Sequence, residues 1–126
     1  DYVRYESWAK EVKNLIDEFA YQLKQLKTKG ASIAAFGASA KGNTLLNSLN
    51  LKKNIVKFAA ENNIKKINKY TPGAHIKIIN DQNFLKKKID YAILLSWNYK
   101  QFFLSKSLFK KRGGKFIIPL PVPHIK

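Results

Sequence analysis

The stretch Gly37-Ala38-Ser39-Ala40-Lys41-Gly42-Asn43-Thr44 carries more chemical information than any other in the chain. It joins an apolar run to a helix start and is built of small residues, one lysine and two hydroxyls. Backbone N–H groups at a helix start attract anions, and small side chains let a phosphate reach them. Lys41 and the hydroxyls of Ser39 and Thr44 add a charge and hydrogen bonds suited to a diphosphate. Two familiar phosphate loops fit incompletely. In the dinucleotide fingerprint, Gly37 and Gly42 take the first and third glycine positions, but Ser39 stands where the middle glycine admits the pyrophosphate. In the P-loop the two glycines are correctly spaced and Thr44 fits, yet Asn43 replaces the lysine that grips the phosphates. The segment also opens like a hydrolase nucleophile elbow, with Asp90 and His124 following in order, but Lys41 fills the fifth position, which must be small. An anion-binding loop and a plain tight strand-to-helix turn are both compatible with these residues.

Other candidates are single residues. Glu61 follows the second apolar run, where an acid can accept hydrogen bonds from a ribose or simply end a strand. His75 follows the turn Thr71-Pro72-Gly73 and can donate to a phosphate or carbonyl, or be solvated. Trp97 and Asn98 close the most apolar run of the chain; Asn98 can cap the next helix, and Trp97 can close a pocket or merely pack. Cysteine is absent, His75 and His124 are the only histidines, and no acid cluster accompanies them. No metal site is therefore expected.

These residues need elements to position them. Residues 3 to 29 read as one long helix, because Trp8, Val12, Leu15, Phe19, Leu23 and Leu26 recur at spacings of three and four, and Gly30 marks its stop. Ile33 to Phe36 reads as a strand buried on both faces. A helix running on from Thr44 through Leu45, Leu46 and Leu49 closes near Asn50, and Ile55 to Ala60 gives a second strand. After the polar stretch 62 to 73, Ile76, Ile78 and Ile79 suggest a short strand, and Phe84, Leu85 and Ile89 a brief helix. Tyr91 to Leu95 reads as a central strand and Tyr99 to Lys111 as an amphipathic helix ended by Gly113-Gly114. Phe116 to Ile118 is the last strand, because Pro119, Pro121 and Pro123 bar its extension inside a sheet. Alternating strands and helices, with strands apolar throughout, predict an α/β fold: a Rossmann-like three-layer sandwich. Its sheet is expected to be mostly parallel and five-stranded, with helices on both faces and the long helix in front. Residues 1–126 are expected to form one domain, 1–30 its leading helix and 31–126 its α/β body. Ligands of such sheets sit beyond the carboxyl ends of the strands, which gathers residues 37–44, 61–63 and 96–100.

Composition bounds the function. The 126 residues are 45% apolar and 25% charged, a globular balance, and no apolar run approaches the roughly 20 residues that cross a bilayer. A soluble, cytoplasmic domain with no membrane partner is expected. The chain opens at Asp1 with Tyr2, Tyr5 and Trp8 already in helical pattern, as expected of a piece of a longer polypeptide. Its charge is +16, but five of the eight acids lie in the first 18 residues, so residues 19–126 carry 21 basic against 3 acidic side chains. Such a field attracts polyanions or a phosphorylated ligand. Lysine supplies 22 of the 24 basic residues, and arginine, the usual reader of bases, only two, so no specific nucleic-acid partner is expected. A non-specific basic interaction domain, and a stand-alone NAD- or NADP-binding module of an oxidoreductase, are the alternatives.

Four stretches together carry a resemblance. They are Gly37-Ala-Ser-Ala-Lys-Gly-Asn-Thr44; Glu61-Asn-Asn63 with Lys66 and Tyr70-Thr-Pro-Gly-Ala-His-Ile76; Asp90-Tyr-Ala-Ile-Leu-Leu-Ser-Trp-Asn98; and Gly113-Gly-Lys-Phe-Ile-Ile-Pro-Leu-Pro121. In order and spacing the chain resembles the C-terminal domain of the sugar C-methyltransferases, which use S-adenosylmethionine to methylate carbon on nucleotide-linked deoxysugars. It departs from the family at Glu61, where Asp is typical, Asn68 (Gly), Ala74 (Thr) and Lys77 (Pro). The resemblance implies a three-part enzyme: a zinc-binding cysteine-rich region, a middle domain that binds S-adenosylmethionine and supplies the catalytic acid/base residues, and this domain, which closes over the nucleotide sugar. It therefore implies that this chain alone is inert, with no catalytic residue, cofactor or metal of its own. Its partners would be a nucleotide-linked sugar and the S-adenosylmethionine-binding domain of the same polypeptide. The residues expected to bind substrate are Gly37, Ala38, Ser39, Lys41, Gly42, Asn43, Thr44, Glu61, His75, Trp97 and Asn98.

Overall fold

Residues Tyr2–Thr28 form a single 27-residue helix, α1, in a computed structural model that describes residues 2–37, 40–51, 55–61, 64–95, 108–118 and 124–125. Gly30 ends α1 in the left-handed region (φ 91°), where its N–H donates to Lys27 O (3.0 Å) and that of Ala31 to Leu26 O (3.1 Å). This is a glycine-dependent helix stop. The apolar stripe expected from Trp8 to Leu26 is packed only in its second half. Phe19, Ala20 and Leu23 are buried and Ile16 and Leu26 lean on the same core, whereas Tyr5, Trp8 and Leu15 are exposed. Length is the reason. A helix of this size spans about 40 Å, while strands of four or five residues cover only roughly 15 Å, so the first half of α1 overhangs the sheet.

The remaining elements are β1 (Ile33–Phe36), α2 (Ala40–Leu49), β2 (Val56–Ala60), β3 (Lys77–Ile79), α3 (Asp81–Lys86), β4 (Tyr91–Leu94), β5 (Lys115–Ile118) and β6 (His124–Ile125). The sheet runs in the order β3-β2-β1-β4-β5-β6, and the first five strands are parallel. The α/β, Rossmann-like architecture expected from the apolar runs is thus present. A short addition was not foreseen: β6 pairs antiparallel with β5, Ile117 opposite Ile125.

Alternation along the strands, interrupted in β2 by a register shift between Val56 and Ala59, builds two cores. Ile33, Ala35, Val56, Ala59, Ile78, Ile93 and Ile117 face α1 and α2, where Leu46 and Leu49 meet Phe19 and Leu23. Ala34, Phe36, Ala60, Ile79, Ala92, Leu94 and Phe116 face the other way, onto Phe84 of α3 and Phe109 of the helical residues 108–111. Helices therefore cover both faces, as expected of a parallel sheet. Helix α2 starts at Ala40 and runs on through Thr44 as expected, and several element ends shift by one residue. The larger difference is at α3, which ends before Ile89, a residue buried beyond it.

Candidate functional site: the carboxyl rim of the sheet

Chain order locates the crevice. From β1 the chain steps outward to β2 and β3, then returns to lay β4 against the other side of β1. Ligands of open α/β sheets bind where strand order reverses in this way, beyond the carboxyl ends. The ends are level. Phe36 is in register with Ala60 and with Leu94, and Ala60 with Ile79. The hydrogen bonds that follow carry the alignment one residue further: Gly37 N–H to Ala60 O (2.7 Å), Glu61 N–H to Ile79 O (2.9 Å) and Leu95 N–H to Phe36 O (2.9 Å).

Gly37 is buried, with a φ of 100°, so the chain leaves β1 through a conformation that a side chain would disfavour. Two residues separate it from Ala40, where α2 begins. Because α2 begins there, the backbone of Lys41, Gly42 and Asn43 lies in its first turn, whose N–H groups have no intrahelical acceptor. Thr44 is exposed one turn into the helix. Ala38, Ser39, Trp97 and Asn98 lie outside the described residues.

Glu61 stands at the carboxyl end of β2, half-buried, one strand away from Gly37. Beside it is a carboxylate that the sequence reading did not single out. Asp81 opens α3 just past β3, and its pKa is raised above 3.8, chiefly by burial and then by the negative charge of Glu61. Asn80 caps α3, its Oδ1 accepting from the Asn83 N–H (2.7 Å). The signal was present in the sequence: Asn80-Asp81 directly follows a strand and precedes Phe84, the pattern of a helix start.

The structure does not bring His75 to this rim. His75 precedes β3, at the amino ends of the strands, with its ring stacked on Tyr70 (centroids 5.1 Å apart, planes at 15°). Residues 68–70 run antiparallel beside β3 to its start, and the turn after them reverses the chain into β3, which a one-dimensional motif does not reveal. Among the described residues no three His, Cys, Asp or Glu side chains group as metal ligands. None of the described helices is long and apolar enough to cross a membrane.

Residues 1–121 match a family described as the C-methyltransferase C-terminal domain. The C-methyltransferase NovU of Streptomyces niveus is 32% identical over 97 residues, which cover 76% of this chain and 23% of NovU.

Proposed function

The chain belongs to the C-methyltransferase C-terminal domain family, and on that premise we propose that it is the nucleotide-sugar-binding part of a cytoplasmic, S-adenosylmethionine-dependent C-methyltransferase acting on a keto-deoxysugar. The observation that carries the reading is the rim itself: Gly37 and Glu61 level at adjacent strand ends, with α2 starting three residues after Gly37. In this reading the diphosphate meets the first-turn N–H groups of α2, and Lys41 adds a point charge. Glu61 accepts hydrogen bonds from the ribose. The nucleotide is thereby anchored, and the sugar is presented across the crevice between β1 and β4.

In the proposed reaction a base outside this domain would take a proton beside the keto group, and the resulting carbanion or enolate would attack the sulfonium methyl, whose C–S bond breaks to release S-adenosylhomocysteine. The methyl comes from S-adenosylmethionine, held, like zinc, elsewhere in the enzyme. This domain binds and orients; it does not supply the base, and alone it is inert. Titration with a thymidine-diphosphate-linked deoxysugar, followed by amide NMR shifts, tests this. Saturable shifts at residues 37–44 and at Glu61 are expected, with affinity falling at least about tenfold in Lys41→Ala and unchanged in a surface control, Lys24→Ala. A wild-type protein whose residues 37–44 do not respond would sink the reading.

A further inference from the structure

At the opposite end of the strands a groove of about 860 Å³ opens beneath the carboxyl-terminal half of α2. That lies within the roughly 300–1,000 Å³ typical of small-molecule sites. Its floor is apolar, formed by Leu46, Leu51, Val56 and Ile76; among the described residues the charged ones lining it are Lys57 and Lys77, and none is an acid. One wall is the Tyr70–His75 ring pair, and Tyr70 stays 52% exposed despite the stacking.

This wall is preformed. A backbone bridge between Tyr70 and Lys77 closes the neck of the loop between them. Within it Thr71, only 1% exposed, donates its N–H to Ile76 O (2.8 Å) and accepts the Ile76 N–H on Oγ1 (3.0 Å). The His75 N–H returns to Thr71 O (3.0 Å), holding His75 at φ 60°. That is an uncommon conformation for a residue with a side chain, and it persists where surrounding structure enforces it. On the neighbouring wall Asn47 and Asn50 add amide groups.

We infer that this groove is a second ligand site, distinct from the carboxyl rim, for a small phosphorylated aromatic compound of the nucleoside monophosphate class. The outer face of Tyr70 offers a stacking platform for a planar base. Lys57 supplies the positive charge for a phosphate, which lysine meets as a point charge. The apolar floor favours an organic ligand over a bare anion.

Adenosine monophosphate is the probe, with adenosine and inorganic phosphate as partial ligands, and amide NMR shifts are the readout. Expected are saturable shifts at Lys57 and residues 70–77 with the monophosphate, and weaker responses to either part. Lys57→Ala and Tyr70→Ala should each weaken binding at least about tenfold; both side chains are exposed, so the variants should fold. Lys41→Ala should leave these shifts unchanged, which separates this site from the rim. Shifts confined to residues 37–44, or binding that survives both groove variants, would overturn the assignment.

Discussion

At the scale of single residues, the rim carboxylates make a pH-dependent statement. Burial, and then Glu61, raise the pKa of Asp81 above the unfolded 3.8, so the folded state holds that proton more tightly than the unfolded state. The ionised form is the disfavoured one. Its cost is fully present above the raised pKa and is relieved as pH falls through that value toward 3.8. Asp81→Asn should therefore be more stable than wild type at neutral pH, with the advantage shrinking as the solution is acidified. Urea unfolding at a series of pH values reads this directly, and parallel profiles for the two proteins would contradict it. Glu61→Gln should move the wild-type profile in the same direction by a smaller amount, because Glu61 is the lesser of the two causes.

At the scale of elements, Gly113-Gly114 shows what local pattern reveals and what it hides. The pair reads as a helix stop, and Gly113 performs that role at φ 93° with its N–H on Lys110 O (3.0 Å). Gly114 does something else. A Cβ there would come within 2.4 Å of the Phe109 ring, which is fully buried between Phe84 and Phe116. Gly114→Ala should cost about 1–3 kcal/mol as an overpacked core. Gly73→Ala meets only the exposed amide of Asn47, so its cost is mainly the left-handed backbone, about 1 kcal/mol. Chemical denaturation of both variants distinguishes steric from conformational cost. Five of the six strands were legible because each centres on a short apolar run; β6, two residues beyond three prolines, was not. Helix α2 was legible too, since small residues after a buried run mark a helix start and Leu45, Leu46 and Leu49 continue it. Of the site, Gly37 and Glu61 were readable because each directly follows a strand. His75 lies away from the rim because its turn, held by hydrogen bonds to Thr71, opens β3 at the amino ends of the strands, and Asp81 gained meaning only when β3 came to lie beside β2.

At the scale of the whole molecule, the overhang of α1 divides the helix into a half that holds the fold and a half that does not. Phe19 is 2% exposed and Trp8 60%. Phe19→Ala should cost about 3–5 kcal/mol, whereas Trp8→Ala should change stability by less than about 0.5 kcal/mol. Thermal or urea unfolding of the pair checks this; a large loss at Trp8 would show that the overhang is packed in solution. The margins of the sheet have a different consequence. On one side β6 occupies part of the outer hydrogen-bonding row of β5, and on the other β3 is three residues long with Lys77 already bridged to Tyr70. Strands this rich in isoleucine and phenylalanine would be hazardous if their borders invited another molecule to add on. Blunted at both borders, the sheet offers little template on which a further strand could add.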